Sequence, residues 1–230
     1  LAFSTGDFTI EFWTYMTEAR AGSGGAAGYV FDLRFGGGDL TILWLEAGTA
    51  YTVYVNGTSN NGTSATNYLN TWIHWAIVRS SGTVKVYIQG TQNLSFSAGG
   101  SIGNSGIAIG ARYGGTEFFP GYISNFRIVK GVAVYTGAFT VPTSPLSATQ
   151  SSGTNISAIT SGQTVLLTAQ NTTVVDNSTY TFTITNNNSV VYSVNTPFSG
   201  VIPVGGFVAS RVSAGTHSLV TTTSNTLYVW

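Results

Sequence analysis

Apolar and polar residues alternate along most of the chain. Near its start, Phe8, Ile10 and Phe12 alternate with Thr9 and Glu11, which is the two-residue period of a β-strand with one buried face. The same period recurs in segments separated by Gly-rich turns, which read LTILWLEAG, AYTVYVNGT, WIHWAIVRS, TVKVYIQG, GIAIGA and GYISNFRIV. Short strands at this spacing predict an all-β fold, an antiparallel β-sandwich of the jelly-roll type.

Two hairpins are predicted from the turns between these segments. Ser81-Gly82 separates WIHWAIVRS from TVKVYIQG, and a two-residue turn ending in Gly is a strong local signal for a hairpin. A second short link, near Gly48, joins LTILWLEAG to AYTVYVNGT, which is close enough for the two strands to pair.

The regular pattern ends after residue 130. We expect a short helical turn in GVAVYTGAF (131–139). Pro142 and Pro145 then prevent a regular continuation, because proline lacks an N–H donor and restricts the residue before it. Residues 147–163 are rich in Ser, Thr, Gly and Asn, which indicates a linker or a long surface connection. Further strands are predicted after it, in TVLLTAQ, YTFTIT, SVVYSV, GFVASRV and NTLYVW.

The amino-acid composition limits which kinds of molecule the protein is expected to bind. Charged residues make up 7% of the 230 residues, and eight basic residues balance eight acidic ones. Nucleic-acid binding needs clustered Lys and Arg, which are scattered here, so we expect no nucleic-acid partner. No apolar run approaches the roughly 20 residues of a membrane span, so no membrane insertion is expected. A neutral surface rich in hydroxyl and amide groups favours association with copies of the same chain, because few charges must be desolvated.

Three segments together resemble one known family. GDFTIEFWTYMT (6–17), WIHWAIVRSSGTVKVYIQG (72–90) and FFPGYISNFRIVKGVAVYTGAFTVPTSPL (118–146) are similar to the laminin-G-like, concanavalin A-like lectin fold found in phage structural proteins and bacterial surface proteins. The resemblance covers residues 1–146 and implies a lectin-like jelly-roll core over that range. The segment GYISNFRIVKG then corresponds to a late strand of the sandwich.

The usual first strands of that family have no counterpart before Leu1. Residues 164–198 resemble this opening unit instead, and they follow the connection 147–163. Residues 164–230 are therefore predicted either to complete the sandwich, in the same chain or a neighbouring one, or to form a small second β-unit. We favour completion, because a jelly roll without these strands leaves a bare strand edge and an exposed core.

The same fold includes glycoside hydrolases, whose acidic residues occupy alternate positions of one strand. The nearest match here is DFTIE, where Asp7, Thr9 and Glu11 share a face and Thr replaces the central Asp. On a regular strand Asp7 and Glu11 are roughly 13 Å apart, whereas the carboxyl pairs of glycosidases are roughly 5–9.5 Å apart. We therefore expect no catalysis. His74 and His217 also lack partners at the spacing of a catalytic or metal site.

No cofactor is expected, although the sequence leaves open one structural calcium ion. Several sandwiches of this type bind calcium on a loop, and the ion requires six to eight oxygen ligands. The candidate acidic residues are Asp32, Asp39 and Asp176.

Sugar recognition is the main binding hypothesis. Lectin sites combine an aromatic ring with amide, hydroxyl or carboxylate groups, because a sugar has an apolar face and a polar edge. The segment ARYGGTEFF supplies Arg112, Tyr113 and Glu117 between glycines, and Trp44 and Tyr51 lie near a predicted hairpin end. For each aromatic residue, ordinary packing in the core or on a sheet face is the alternative.

Together these observations favour a non-catalytic structural or attachment module. The resemblance implies a place in a virion, as a fibre, an appendage or a capsid-decorating protein. There it packs against copies of itself and neighbouring virion proteins and contacts cell-surface glycans. A bacterial secreted or cell-surface adhesin with a carbohydrate-binding domain is the alternative, and a glycoside hydrolase is the third class.

Overall fold

The structure is a computed structural model, which describes residues 2–19, 28–34, 42–45, 49–64, 67–103, 106–170, 173–187, 190–193, 195–198, 206–208 and 226–229. Strands and irregular connections account for these residues, and no helix occurs among them. The all-β prediction is therefore confirmed. In the same part of the chain there is consequently no helix long and apolar enough to cross a membrane.

The strands have the following bounds: β1 (Phe8–Met16), β2 (Gly28–Asp32), β3 (Ile42–Leu45), β4 (Ala50–Val55), β5 (Thr58–Thr63), β6 (Trp72–Ser80), β7 (Thr83–Ile88), β8 (Thr91–Ser97), β9 (Ile107–Ile109), β10 (Gly121–Lys130), β11 (Thr164–Thr168), β12 (Thr183–Asn186), β13 (Val191–Ser193), β14 (Gly206–Val208) and β15 (Thr226–Val229).

Two sheets contain most of these strands. Among the described residues, one sheet has six strands in the order β11-β10-β1-β6-β7-β8, and the other has seven in the order β12-β15-β9-β2-β3-β4-β5. The six-stranded sheet is antiparallel throughout. In the seven-stranded sheet β15 runs parallel to both β12 and β9. The predicted antiparallel sandwich is thus present, with two parallel pairings that the sequence pattern did not indicate.

Apolar side chains from the two sheets meet in one core. On β1, Phe8, Ile10 and Phe12 are fully buried in this core. The ring of Phe12 lies 5.8 Å from that of Phe31 in the opposite sheet and 5.2 Å from that of Phe126 in its own sheet. The apolar positions of the two-residue period therefore form the inward face of the strand.

Both predicted hairpins are confirmed. Ser81 and Gly82 join β6 to β7 with φ angles of 48° and 78°, and two consecutive positive φ angles characterise the tight turn that suits a twisted hairpin. The strands β3 and β4 pair antiparallel along their lengths. Gly48, between them, lies outside the described residues.

Three of the five described strands after residue 163, β11, β12 and β15, join the two large sheets, whereas β13 and β14 pair antiparallel in a separate two-stranded sheet. β11 pairs with β10 at one edge of the six-stranded sheet. β15 pairs with β9 and carries β12 at the edge of the seven-stranded sheet. The division of the chain at 1–146, 147–163 and 164–230 stays a prediction.

Residues 131–163, called here the cover segment, lie on the outer face of the six-stranded sheet. Val134 N–H donates to Thr9 Oγ1 at 2.9 Å, and Phe139 N–H donates to Gly90 O at 3.0 Å. The helical turn predicted in the first part of this segment is wrong. Its backbone groups bond to the sheet beneath it, and it forms bends and an isolated bridge instead.

Candidate functional site

The β9–β10 loop, residues 111–118, carries three of the predicted site residues and connects the two sheets. Arg112 N–H donates to Thr116 O at 2.9 Å, and Gly115 N–H donates to Arg112 O at 3.0 Å. Gly114 and Gly115 have φ angles of 98° and 72°, which glycine adopts without strain. The loop is therefore a tight turn whose two arms are hydrogen-bonded to each other.

An ion pair with unequal exposure lies in this loop. Arg112 Nη1 donates to Glu117 Oε1 at 2.8 Å, and the Arg112 side chain is 42% exposed while that of Glu117 is 8% exposed. Burial raises the pKa of Tyr29, and the adjacent Glu117 carboxylate, which is hydrogen-bonded to Tyr29, raises it further. Tyr29 therefore stays a neutral hydroxyl. The anionic partner is held inside the protein while the guanidinium faces solvent.

Asp32, at the end of β2, fastens the loop to the sheet. Its fully buried carboxylate accepts hydrogen bonds from Arg34 Nε at 3.0 Å and from Arg34 Nη2 at 2.6 Å. Asp32 Oδ2 also accepts the Tyr113 backbone N–H at 2.9 Å. Burial lowers the pKa of Arg34, but the hydrogen bonds that Arg34 donates to Asp32 and the negative charge of Asp32 outweigh this effect and raise it. Arg34 therefore stays charged, and the carboxylate it holds positions Tyr113.

The loop presents complementary groups for a polar ligand with an apolar face. The guanidinium of Arg112 donates hydrogen bonds, and the Glu117 carboxylate accepts them. The partly exposed Tyr113 ring offers a surface for C–H groups. A sugar fits these groups, because two of its neighbouring hydroxyls can bond to the guanidinium while its apolar face contacts the tyrosine ring.

Tyr51 lies in the core rather than on the surface. It is 1% exposed, its ring packs 5.3 Å from that of Trp75, and its hydroxyl donates to Asn93 Oδ1. Burial raises the pKa of Tyr51 well above its usual value. Because no face of this ring is exposed, a sugar cannot stack on Tyr51. Tyr51 is instead an ordinary core residue, which was the alternative for each aromatic candidate.

Trp44 is placed through its backbone only. It lies in β3, in register with Tyr29 on one side and Thr52 on the other. Its side chain lies outside the described residues.

Glu11 is buried beneath the cover segment in an ion pair. Its Oε1 accepts hydrogen bonds from Arg127 Nε at 2.8 Å and Nη2 at 2.5 Å, and its Oε2 accepts one from Tyr135 Oη at 2.6 Å. His74 Nε2 lies 3.4 Å from the same Oε2. Burial by itself raises the pKa of Glu11, but Arg127, His74 and Tyr135 together lower it from 4.5 to about 2. Glu11 is therefore a permanently ionised structural group.

The DFTIE motif does not form a carboxyl pair in a groove. Glu11 is 0% exposed, whereas Asp7 stands before the strand and accepts the Ser81 backbone N–H at 2.8 Å. Thr9, between them, donates to Val132 O at 3.1 Å. A carboxylate that is sealed from solvent cannot reach a glycosidic oxygen, so this motif supplies no hydrolytic pair.

Comparison with protein families decides the family. The model described as the concanavalin A-like lectin/glucanases superfamily, in its laminin G form, matches residues 1–138. The chain belongs to the concanavalin A-like lectin/glucanase superfamily. The resemblance deduced from the three sequence segments is thereby confirmed. A search of curated proteins found no match to this lectin-like chain.

Several solved structures match this chain at low identity and with TM-scores below 0.5. A heptameric SAP-like pentraxin from Limulus polyphemus matches with a TM-score of 0.42 and 20% identity, over 57% of this chain and 68% of that one. A Bacteroides ovatus protein, a candidate carbohydrate-binding protein by its description, matches with a TM-score of 0.45 and 18% identity, over 60% and 46%. Domains LG4-5 of the mouse laminin α1 chain match with a TM-score of 0.44 and 13% identity, over 55% and 36%. The lectin-like chain thus spans less than half of the last two chains.

The described calcium candidates of this lectin-like domain are engaged by protein donors. Asp176 Oδ1 accepts the N–H groups of Leu167 at 3.0 Å and Ser178 at 2.9 Å, and its Oδ2 accepts that of Phe182 at 3.0 Å. Asp32 is bound as described above, and Asp39 lies outside the described residues. Within the ranges that the structure describes, no three His, Cys, Asp or Glu side chains gather as metal ligands. The calcium ion stays a prediction. His217 also lies outside those ranges.

Sequence reasoning missed Tyr29 and Arg34, and it assigned Asp32 to calcium instead of to the loop. Asp32 and Tyr113 are 81 positions apart, so the bond that fixes the loop has no local signal. The Asp-x-Arg spacing of Asp32 and Arg34 was the available clue, because an Asp side chain commonly accepts the backbone N–H two residues later, as Asp32 Oδ1 does from Arg34 N–H at 2.9 Å.

Proposed function

We propose that this lectin-like domain is a non-catalytic attachment module that binds glycans through the β9–β10 loop. The observation that carries the proposal is the half-exposed Arg112 guanidinium, fixed 2.8 Å from the buried Glu117 carboxylate and beside Tyr113. The buried bonds to Asp32 hold the loop before any ligand arrives, which lowers the entropy lost on binding. The ligand class is a sugar with two neighbouring hydroxyls that accept hydrogen bonds from the exposed Arg112 guanidinium, while the buried Glu117 carboxylate keeps that guanidinium in place.

The burial of Glu11 supports a role without catalysis. Of the acidic residues, Glu11 and Asp7 are the ones that sequence reasoning placed nearest to a hydrolase pattern. Glu11 has both oxygens occupied by Arg127 and Tyr135. A binding role needs no free general acid, and none is offered by this motif.

We further propose that the module works in a virion, as a fibre, an appendage or a capsid-decorating subunit. The support is the resemblance of residues 1–146 to modules of phage structural proteins, together with a surface that carries few charges. Such a surface packs against copies of itself at low desolvation cost. Immunogold labelling of purified virus particles and of bacterial cells tests this role. Label on intact cells alone would replace it with the surface-adhesin alternative.

A glycan array followed by calorimetric titration of the best ligand tests the binding site. Arg112→Ala removes a charge-assisted hydrogen bond, which contributes about 1.5–3 kcal/mol, so we expect affinity to fall by roughly 10- to 100-fold. Arg112→Lys keeps the charge but loses the planar fork and should give an intermediate loss. Tyr113→Ala should also weaken binding.

Lys85→Ala is the matched control, because it removes a partly exposed cation from β7 without touching the loop. Its affinity should equal that of the unmodified protein. Unchanged binding by both Arg112→Ala and Tyr113→Ala, with circular dichroism showing intact sheets, would exclude this loop as the site. Release of reducing sugar from a bound glycan would contradict the non-catalytic role.

A further inference from the structure

Three partly exposed aromatic residues meet at one end of the six-stranded sheet. Tyr15 on β1 pairs in register with Tyr122 on β10 and with Trp72 on β6. All three residues are neither buried nor fully exposed. We call Tyr15, Trp72 and Tyr122 the aromatic triad. It shares no residue with the β9–β10 loop and was not among the residues that the sequence pattern indicated.

The rings form a compact cluster. Centroid distances are 5.6 Å for Tyr15–Trp72, 5.6 Å for Tyr15–Tyr122 and 6.4 Å for Trp72–Tyr122. Strands β6 and β10 flank β1 and are therefore roughly 10 Å apart. The rings of Trp72 and Tyr122 are closer to each other than their strands are, so both side chains lean toward Tyr15 and make one continuous aromatic patch.

The patch belongs to the outer face of the sheet, and its neighbours on that face are covered. Glu11 and Arg127 lie beneath the cover segment. Trp13, two positions before Tyr15, is 6% exposed and packs 5.7 Å from Phe198. The triad stands at the end of this covered row, where the outer face is again open to solvent.

Neutral hydrogen-bonding groups border the triad. Trp72 Nε1 donates to Asn195 Oδ1 at 3.1 Å, and the Asn195 amide still carries two N–H donors of its own. The exposed Gln89 side chain donates to Trp72 O at 3.5 Å. Trp13 Nε1 is buried without a hydrogen-bond partner among the described residues. The residues two positions before and after each triad member share its face of the sheet, and none of them is Asp, Glu, Lys or Arg: they are Trp13, Thr17, Asn70, His74, Pro120 and Ser124.

We propose that the aromatic triad is a second carbohydrate-binding site, which takes one neutral sugar ring. The apolar face of a sugar stacks on aromatic rings, and its hydroxyls bond to amide groups such as those of Asn195 and Gln89. The lack of Lys and Arg at these same-face positions, among the residues that the structure describes, disfavours phosphate-bearing and sulfated ligands. This site has its own residues and does not depend on binding at the β9–β10 loop.

Size separates a sugar from a protein partner. Full burial of a Tyr or Trp covers about 150–250 Å², so three partly exposed rings offer at most a few hundred Å². A stable protein interface needs about 800 Å² from each partner. The patch is therefore too small for a protein interface and suits a single sugar ring.

Titration with a panel of neutral methyl hexosides and N-acetylhexosaminides, followed through the indole N–H resonance of Trp72, tests the proposal without any variant. We expect this resonance to shift with at least one sugar of the panel. We then expect Tyr122→Ala to weaken that sugar at least tenfold, because it removes one of the three rings. Tyr122→Phe keeps the ring and should retain most of the affinity.

Two controls separate this site from the rest of the protein. Tyr54→Ala removes a partly exposed ring from the other sheet and should leave the titration unchanged. Arg112→Ala, which disrupts the β9–β10 loop, should also leave the Trp72 response unchanged. A response lost in Arg112→Ala but kept in Tyr122→Ala would overturn the second site while preserving the first.

Three other results would also overturn the proposal. The first is a Trp72 resonance that no sugar of the panel shifts. The second is a shift that depends on protein concentration rather than on sugar, which would indicate contact between two copies. The third is an equal tenfold loss in Tyr122→Ala and Tyr54→Ala, which would indicate general unfolding of the sheets.

Discussion

Replacing Glu11 by Gln is expected to destabilise the fold strongly. The change keeps the shape of the side chain but removes the charge that Arg127 faces at 2.5 Å. Arg127 is itself buried, with a side chain that is 1% exposed. Breaking a buried ion pair by removing one partner costs about 3–5 kcal/mol, because the other charge stays buried without compensation. We expect the free energy of unfolding to fall by that amount at pH 7.

The lowered pKa of Glu11 gives a second figure for the free energy by which the ionised Glu11 stabilises the fold. The pKa is 4.5 for an ordinary Glu and about 2 in the folded protein. At 1.36 kcal/mol for each pH unit, the gap corresponds to about 3 kcal/mol. Because the folded-state pKa lies below the unfolded one, this stabilisation is complete above pH 4.5. It is lost as the pH falls from there toward 2.

Urea unfolding at a series of pH values between 7 and 2.5 measures both effects. The unmodified protein should lose stability steeply below pH 4.5, and Glu11→Gln should lose less over the same interval. The gap in unfolding free energy between the two should therefore narrow with acid. Asp7→Asn is the matched control at the start of the same strand, since its amide oxygen can still accept the Ser81 N–H. It should change stability by less than about 1 kcal/mol.

A Glu11→Gln protein that unfolds within about 1 kcal/mol of the unmodified protein at pH 7 would refute this reasoning. A gap between the two proteins that is the same at pH 7 and pH 3 would refute it as well. Either result would mean that the ion pair between β1 and β10 does not contribute this stability.

Further predictions concern the cover segment and the β9–β10 loop. Gly90 has a φ of 77°, and an added Cβ would lie 2.1 Å from the backbone oxygen of Phe139, so Gly90→Ala should cost more than about 1 kcal/mol. Hydrogen exchange at the Phe139 amide should rise in the same variant, and unchanged exchange there would count against the contact. Asp32→Asn replaces the charged acceptor of Arg34 and of the Tyr113 N–H. It should weaken glycan binding severalfold although Asp32 is buried, and unaltered affinity would show that the loop is held by other contacts.

The sequence by itself determined the strands and the hairpins. Phe8, Ile10 and Phe12 alternate with polar residues, which predicts a strand with one apolar face. This prediction needs only neighbouring positions along the chain, because successive side chains of a strand point to opposite faces. Ser81-Gly82 indicates the position of a hairpin turn. The positive φ angles of a two-residue turn are a local property of the residues that form it. Three such segments in order were also enough to indicate the lectin-like family.

The sequence could not show which faces would be covered. Glu11 and Tyr15 occupy the same outward face of β1, yet Glu11 is fully buried beneath the cover segment and Tyr15 is partly exposed. Tyr51 has an aromatic ring of the kind on which a sugar stacks, but this ring is buried and packs against Trp75. The two-residue period of a strand separates its side chains into two faces. It does not show which other segments cover each face, because those segments are distant in the chain.

Long-range contacts therefore determine which residues form the proposed binding surfaces. Arg127 is explained by its pairing with Glu11, 116 positions earlier, and Tyr113 is positioned by Asp32, 81 positions earlier. The aromatic triad exists because β1 lies between β6 and β10. Local patterns determine how each segment is built, whereas the spacing between segments depends on which sheets they join. Burial and charge pairing follow from that assembly, so only the tertiary structure could show which of the candidate residues lie together and which are buried.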